Sequence, residues 1–107
     1  MSKSRTTIDP DWLHNPHAGE LLASEFMEPL GLDAATLAVA IEADAAHLQS
    51  VIEGRTSMNG ELDLRLGRYF RMSEGFFLRL QESYELLEAK RSLNGDLERI
   101  GGLGGLR

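Results

Sequence analysis

Cysteine is absent from the 107 residues, which excludes disulfide frameworks, thiolate nucleophiles and every cysteine-containing metal site. Long apolar runs are missing as well. No stretch approaches the ~20 apolar residues of a membrane-spanning helix, and the opening "MSKSRTTIDPDW" lacks the apolar centre of a secretory leader. The chain is therefore expected in the cytoplasm, with no membrane partner. Positive charge is short: 11 Lys and Arg against 17 Asp and Glu give a net charge of −6. That balance argues against non-specific attraction to nucleic acid, so any such binding has to come from a local patch. Strand signals are lacking too, because no segment alternates apolar and polar residues with strand-forming content. What remains is 42% hydrophobic and 26% charged, enough for one core in one domain.

The spacing of apolar residues predicts an all-α fold of five helices. Residues 1–16, with Pro10 and Pro16, read as an extended N-terminal arm that Trp12 and Leu13 can pin to the core. In "HAGELLASEFMEPLG", Leu21, Leu22, Phe26 and Leu30 fall at helical intervals, and Pro29 and Gly31 end the pattern. Asp33 is placed to cap a second helix in which Leu37 and Ile41 share a face. Asp44 can cap a third, with Leu48, Val51 and Ile52 as its buried stripe and Gly54 as its stop. Two short helices across so tight a corner make a helix-turn-helix over about residues 33–54. Asn59 can cap a fourth helix carrying Leu62, Leu66, Tyr69 and Phe70, and Ser73 a fifth. The helical domain thus spans 17–93. In the fifth helix, Phe77, Leu80, Tyr84 and Leu87 alternate three and four apart, a seam that either closes the core or also pairs with a second protomer. Residues 94–107 hold five glycines and read as a flexible tail.

No constellation for catalysis stands out. His14 and His17, near Asp9, Asp11 and Glu20, could offer metal ligands, but no compact spacing motif ties them together, and roles as cap and surface residues are expected. Glu82, Glu85 and Glu88 form a solvated helix face rather than an acid–base pair. "IGGLGGLR" matches neither a dinucleotide fingerprint nor a phosphate loop. Neither an enzymatic activity nor a cofactor or metal is expected.

The corner from Asp33 to Gly54 has the shape of a DNA reader and little of its chemistry. It carries four acids, Asp33, Glu42, Asp44 and Glu53, and no Lys or Arg, although phosphate contacts supply much of the affinity for DNA. On the third helix His47, Gln49 and Ser50 offer hydrogen bonds to base edges, Gln49 suiting adenine. Basic residues come later: Arg55, Arg65, Arg68, Arg71 and Arg79 stand against Glu61, Asp63 and Glu74. Arg55, directly after the third helix, is the best placed to clamp a phosphate, while Arg65 and Arg68 can instead be structural ion pairs.

Two stretches carry a family resemblance. "HAGELLASEFMEPLGL" resembles the opening of HigA-type antitoxins, a branch of the lambda-repressor-like (XRE) helix-turn-helix proteins. "LRLGRYFRMSEGFFLRLQESYEL" resembles that family's second signature, a leucine, arginine and aromatic helix followed by a serine, paired aromatics and a leucine-rich helix. The likeness covers roughly residues 15 to 90. It implies an all-α, usually dimeric protein that represses its own operon by binding operator DNA and neutralises a basic ribonuclease toxin of the HigB kind. Position by position, the serine and glutamine that touch the DNA backbone in that family are here Asp33 and Ala34. The arginines and asparagine of its reading helix are here Ala46, His47 and Gln49, while Gly54 and Arg55 match its glycine and basic residue. The scaffold agrees and the reading face departs. Weakened operator binding through Ala34, Ala46, His47, Gln49, Ser50 and Arg55 is therefore the first expectation, and a protein-interaction module that no longer reads DNA is the alternative.

Overall fold

A computed structural model describes residues 14–104; Asp9, Asp11, Trp12 and Leu13, assigned above to the arm, lie outside that range. Five helices follow in order: α1 (18–30), α2 (Ala34–Ile41), α3 (Ala45–Ile52), α4 (Gly60–Phe70) and α5 (Phe76–Leu93). A short 3-10 turn, Asp96–Arg99, stands where only fraying was expected. The described residues include no strand.

Helix α1 changes winding along its length. The His17 ring accepts the Glu20 N–H at 3.1 Å and opens an α-turn over Ala18–Leu21. The helix then widens to π geometry over Leu22–Met27 and tightens to 3-10 over Glu28–Leu30. Pro29 has no N–H for the Glu25 carbonyl and its ring crowds it, which favours the wider turn before it. Residues five apart are thereby brought towards one face, and Leu22 and Met27 are both buried. Gly31, at φ 64°, ends the helix with the Leu32 N–H on the Met27 carbonyl, a closure that needs the left-handed region.

Three of the expected caps are in place. Asp33, Asp44 and Asn59 accept the N–H of Thr36, Ala46 and Leu62 at 2.8, 3.1 and 2.9 Å, filling acceptor positions that helix starts leave open. Ser73 is not a cap. Helix α5 begins three residues later, after Gly75 at φ 90°, and its leading N–H groups are taken by the carboxylate of Asp63 on α4.

The core gathers Ala18, Leu22 and Met27 of α1, Leu37, Ala38 and Ile41 of α2, Leu48 and Val51 of α3, Met58, Leu62 and Leu66 around α4, and Phe77 of α5. Phe26 meets Phe70 and Phe77 with ring centroids 5.1 and 5.2 Å apart. Helix α1 lies so close to α3 that a Cβ on Gly19 would stand 1.9 Å from the Val51 carbonyl oxygen. The α5 seam turns inward. Phe77 is fully buried in its own chain, which corrects its assignment to a dimer surface. Leu80 packs against the core and the ring of Tyr84 meets that of His17 edge-on at 5.8 Å. Tyr84 and Leu87 are half-buried. The segment before α1 is tied to α5 by Asn15, whose amide donates to the Tyr84 carbonyl at 3.0 Å and to Glu88 at 3.2 Å.

Candidate nucleic-acid interface

Helices α2 and α3 are joined by three residues, Glu42, Ala43 and Asp44. The corner closes in two steps. Glu42 takes the left-handed conformation at φ 58°, and the Ala43 N–H returns to the Ala38 carbonyl at 2.9 Å. Arg65, from α4, then donates to the Ile41 and Glu42 carbonyls at 2.9 and 3.1 Å while pairing with Glu61 at 3.1 Å. A cation on the carbonyl end of α2 suits the helix dipole. Arg65 therefore locks the angle between α2 and α3 and is occupied by that task.

The exposed side of α3 holds the expected contact residues in one row. Ala45 and Ala46 are open to solvent, and His47, Gln49 and Ser50 are half-buried. His47 lines a shallow cleft with Asp44, Asn59 and Arg65. Gln49 is already engaged, its amide donating to Glu53 at 2.7 Å. The Ser50 hydroxyl lies 2.8 Å from that of Thr56. Arg55, in the turn after α3, is ion-paired with Glu53. Ala34, in the first turn of α2, is half-buried and presents no polar side chain.

Negative charge frames the row. The backbone N–H of Thr36, and then its hydroxyl, hold the Asp33 carboxyl below the ordinary carboxylate range. The Gln49 amide, and then the charge of Arg55, do the same for Glu53. Both groups stay ionised at neutral pH. Beyond the corner, Arg68 on the exposed side of α4 and Arg71 directly after its last turn have no hydrogen-bond or ion-pair partner among the described residues and flank the end of α2 together with Leu64 and Tyr69. The linkage of Gln49 and Arg55 through Glu53 was not read from the sequence, although the spacing of 49 and 53 on one helix face was available to suggest it.

His14 bonds to Glu20 at 2.7 Å beside the cap made by His17, and among the described residues no group of three or more His, Asp or Glu is set to hold a metal ion. No described helix is long and apolar enough to cross a membrane.

Known proteins share this arrangement. Virulence-associated protein I of Dichelobacter nodosus is 32% identical over 81 residues, which is 73% of this chain and 75% of that protein. The antitoxin HigA of Pseudomonas aeruginosa, solved with the higBA promoter, superimposes with a TM-score of 0.75 at 29% identity, over 83% of this chain and 98% of that one. Another solved structure, of a P. aeruginosa protein with its 28-base-pair operator DNA, gives 0.77 at 30% identity over 82% of this chain and 98% of that one. The chain belongs to the HigA antitoxin family. A HigA-family antidote protein of Coxiella burnetii extends the group, with a TM-score of 0.75 at 25% identity over 81% of this chain and 96% of that one. No family model matches. The HigA membership agrees with the five-helix scaffold and with the two stretches that carried the resemblance.

Proposed function

We propose that this HigA-family chain is a cytoplasmic transcriptional regulator and antitoxin that binds its own operator as a homodimer and neutralises a cognate basic toxin. The observation that carries this reading is the fit of the whole helical domain, at a TM-score of 0.77, onto a relative solved on its operator DNA. In such proteins α3 enters the major groove and α2 crosses the backbone. His47, Gln49 and Ser50 then face base edges, Ala46 lies beside them without a polar group, and Ala34 and Arg55 border phosphates, with the N-terminal ends of α2 and α3 adding their partial positive charge. The acids at the corner weaken that grip. For a second protomer, Leu64 on α4 and Leu78 and Leu86 on α5 leave 51, 36 and 55% of their surface open, in addition to the partly exposed Tyr84 and Leu87. An acidic chain speeds encounter with a basic toxin.

Footprinting on the DNA upstream of the coding region tests the regulator. Two protected half-sites about one helical turn apart are expected of a symmetric dimer, and uniform cleavage across the region would contradict it. The second reading, an interaction module without DNA recognition, is favoured by one observation: Glu53 occupies both Gln49 and Arg55. Stable co-purification with a basic protein encoded beside it, together with no footprint, would decide for that reading.

A further inference from the structure

Glu53 stands directly after the last residue of α3, and both of its carboxylate oxygens are engaged. Oε2 accepts from the Gln49 amide at 2.7 Å and Oε1 is ion-paired with Arg55. These partners are the amide best suited to an adenine edge and the first cation after a stretch, residues 33–54, that has none. We propose that Glu53 is a positioning residue that sets operator affinity from within, holding the Gln49 amide and the Arg55 guanidinium on its own carboxylate until DNA displaces them. The inference rests on the reading of α3 as the DNA-facing helix.

An ion pair this exposed is weak, so a phosphate can take its place; the pair delays and reduces the contact without abolishing it. Once displaced, the carboxylate remains beside the phosphates as an unpaired negative charge, which is a repulsive element built into the site. The Gln49 hydrogen bond and the Arg55 charge keep that carboxyl ionised at neutral pH, so the brake is permanent under ordinary conditions. Glu53→Gln keeps the shape and removes the charge. The change frees Arg55 to act as an additional phosphate contact and leaves Gln49 a neutral neighbour that competes less for its amide.

Fluorescence anisotropy with the upstream duplex and a scrambled duplex, in a salt series, tests this on four full-length proteins: wild type, Glu53→Gln, Arg55→Ala and the double variant. Glu53→Gln is expected to bind the upstream duplex about tenfold tighter, with log K against log salt steeper by about one, the mark of one more phosphate contact. In the Arg55→Ala background most of the gain and of the extra slope should go, leaving only the smaller part that relief of repulsion supplies, as coupling between neighbours requires. Selective wild-type binding with no gain in Glu53→Gln overturns the proposal and leaves the DNA reading standing. A gain that persists fully without Arg55 overturns it also, because Glu53 would then act by simple repulsion. No preference for the upstream duplex in either wild type or Glu53→Gln removes both.

Discussion

Asp63 and Glu42 show how single residues set this fold. The Asp63 carboxylate is 1% exposed and accepts the N–H groups of Gly75, Phe77 and Leu78 at 2.7, 2.8 and 3.1 Å. A buried donor left without its acceptor is costly. Asp63→Ala should therefore lower stability by roughly 3 kcal/mol, a sum over donors that lose their partner, and Asp63→Asn by less, since one acceptor oxygen remains. Urea denaturation of the three proteins measures this, and an unchanged midpoint for Asp63→Ala would contradict the assignment. Glu42 sits at φ 58°, where a side chain is strained and glycine is not. Glu42→Gly should gain about 0.5 kcal/mol, the relief of strain less the added freedom of the unfolded chain. The backbone carbonyl that Arg65 holds is kept, so a loss of stability would mean that the side chain itself matters.

At the scale of elements, the caps and the close packing of α1 decide the geometry. Gly19 allows α1 to approach the Val51 carbonyl within a distance that no Cβ fits. Gly19→Ala should cost about 2–3 kcal/mol through forced separation of the two helices, read as a lower melting temperature, and a stable variant would show that α1 can slide. Asp33 governs the start of α2. Its carboxyl titrates below the ordinary value when folded, so its contribution is complete above the unfolded pKa near 3.8 and fades as pH falls through the lower, folded one. Asp33→Asn keeps a cap that does not titrate. Helicity followed by circular dichroism below pH 4 should therefore fall less steeply in Asp33→Asn than in wild type; equal slopes would place the acid sensitivity elsewhere. Much at this scale was legible in the sequence. Asp33, Asp44, Asn59 and Gly54 lie beside the helices they bound, so local spacing was enough to find them. Ser73 misled for the opposite reason: the cap of α5 comes from Asp63, on another helix, and no local pattern reports a contact across ten or more residues. The π-turn in α1 was equally hidden, because the leucine spacing reads as ordinary α-helix.

For the whole molecule, the question is how an acidic chain holds an acidic ligand. Two of the four arginines near the corner are committed: Arg65 to the α2 carbonyls and Arg55 to Glu53. Arg68 on α4 and Arg71 just after it have no partner among the described residues. The row of candidate contact residues on α3 was legible because the helix-turn-helix pattern fixes which positions face outward. The internal engagement of those residues was not, because it depends on rotamers and on the turn that brings Arg55 back towards Glu53. Phe77 followed the same logic in reverse. Its heptad-like spacing fits a partner helix, and the tertiary fold buries it instead against Phe26.

The proposed function stands on operator recognition through a row of side chains with few positive charges. Fluorescence anisotropy of the wild-type protein on its upstream duplex and on a scrambled duplex, at a low and a physiological salt concentration, tests it most directly. Selective binding to the upstream sequence is expected at both concentrations, with a shallow salt dependence of only a few phosphate contacts. Equal affinity for the two duplexes, or none for either, would contradict it.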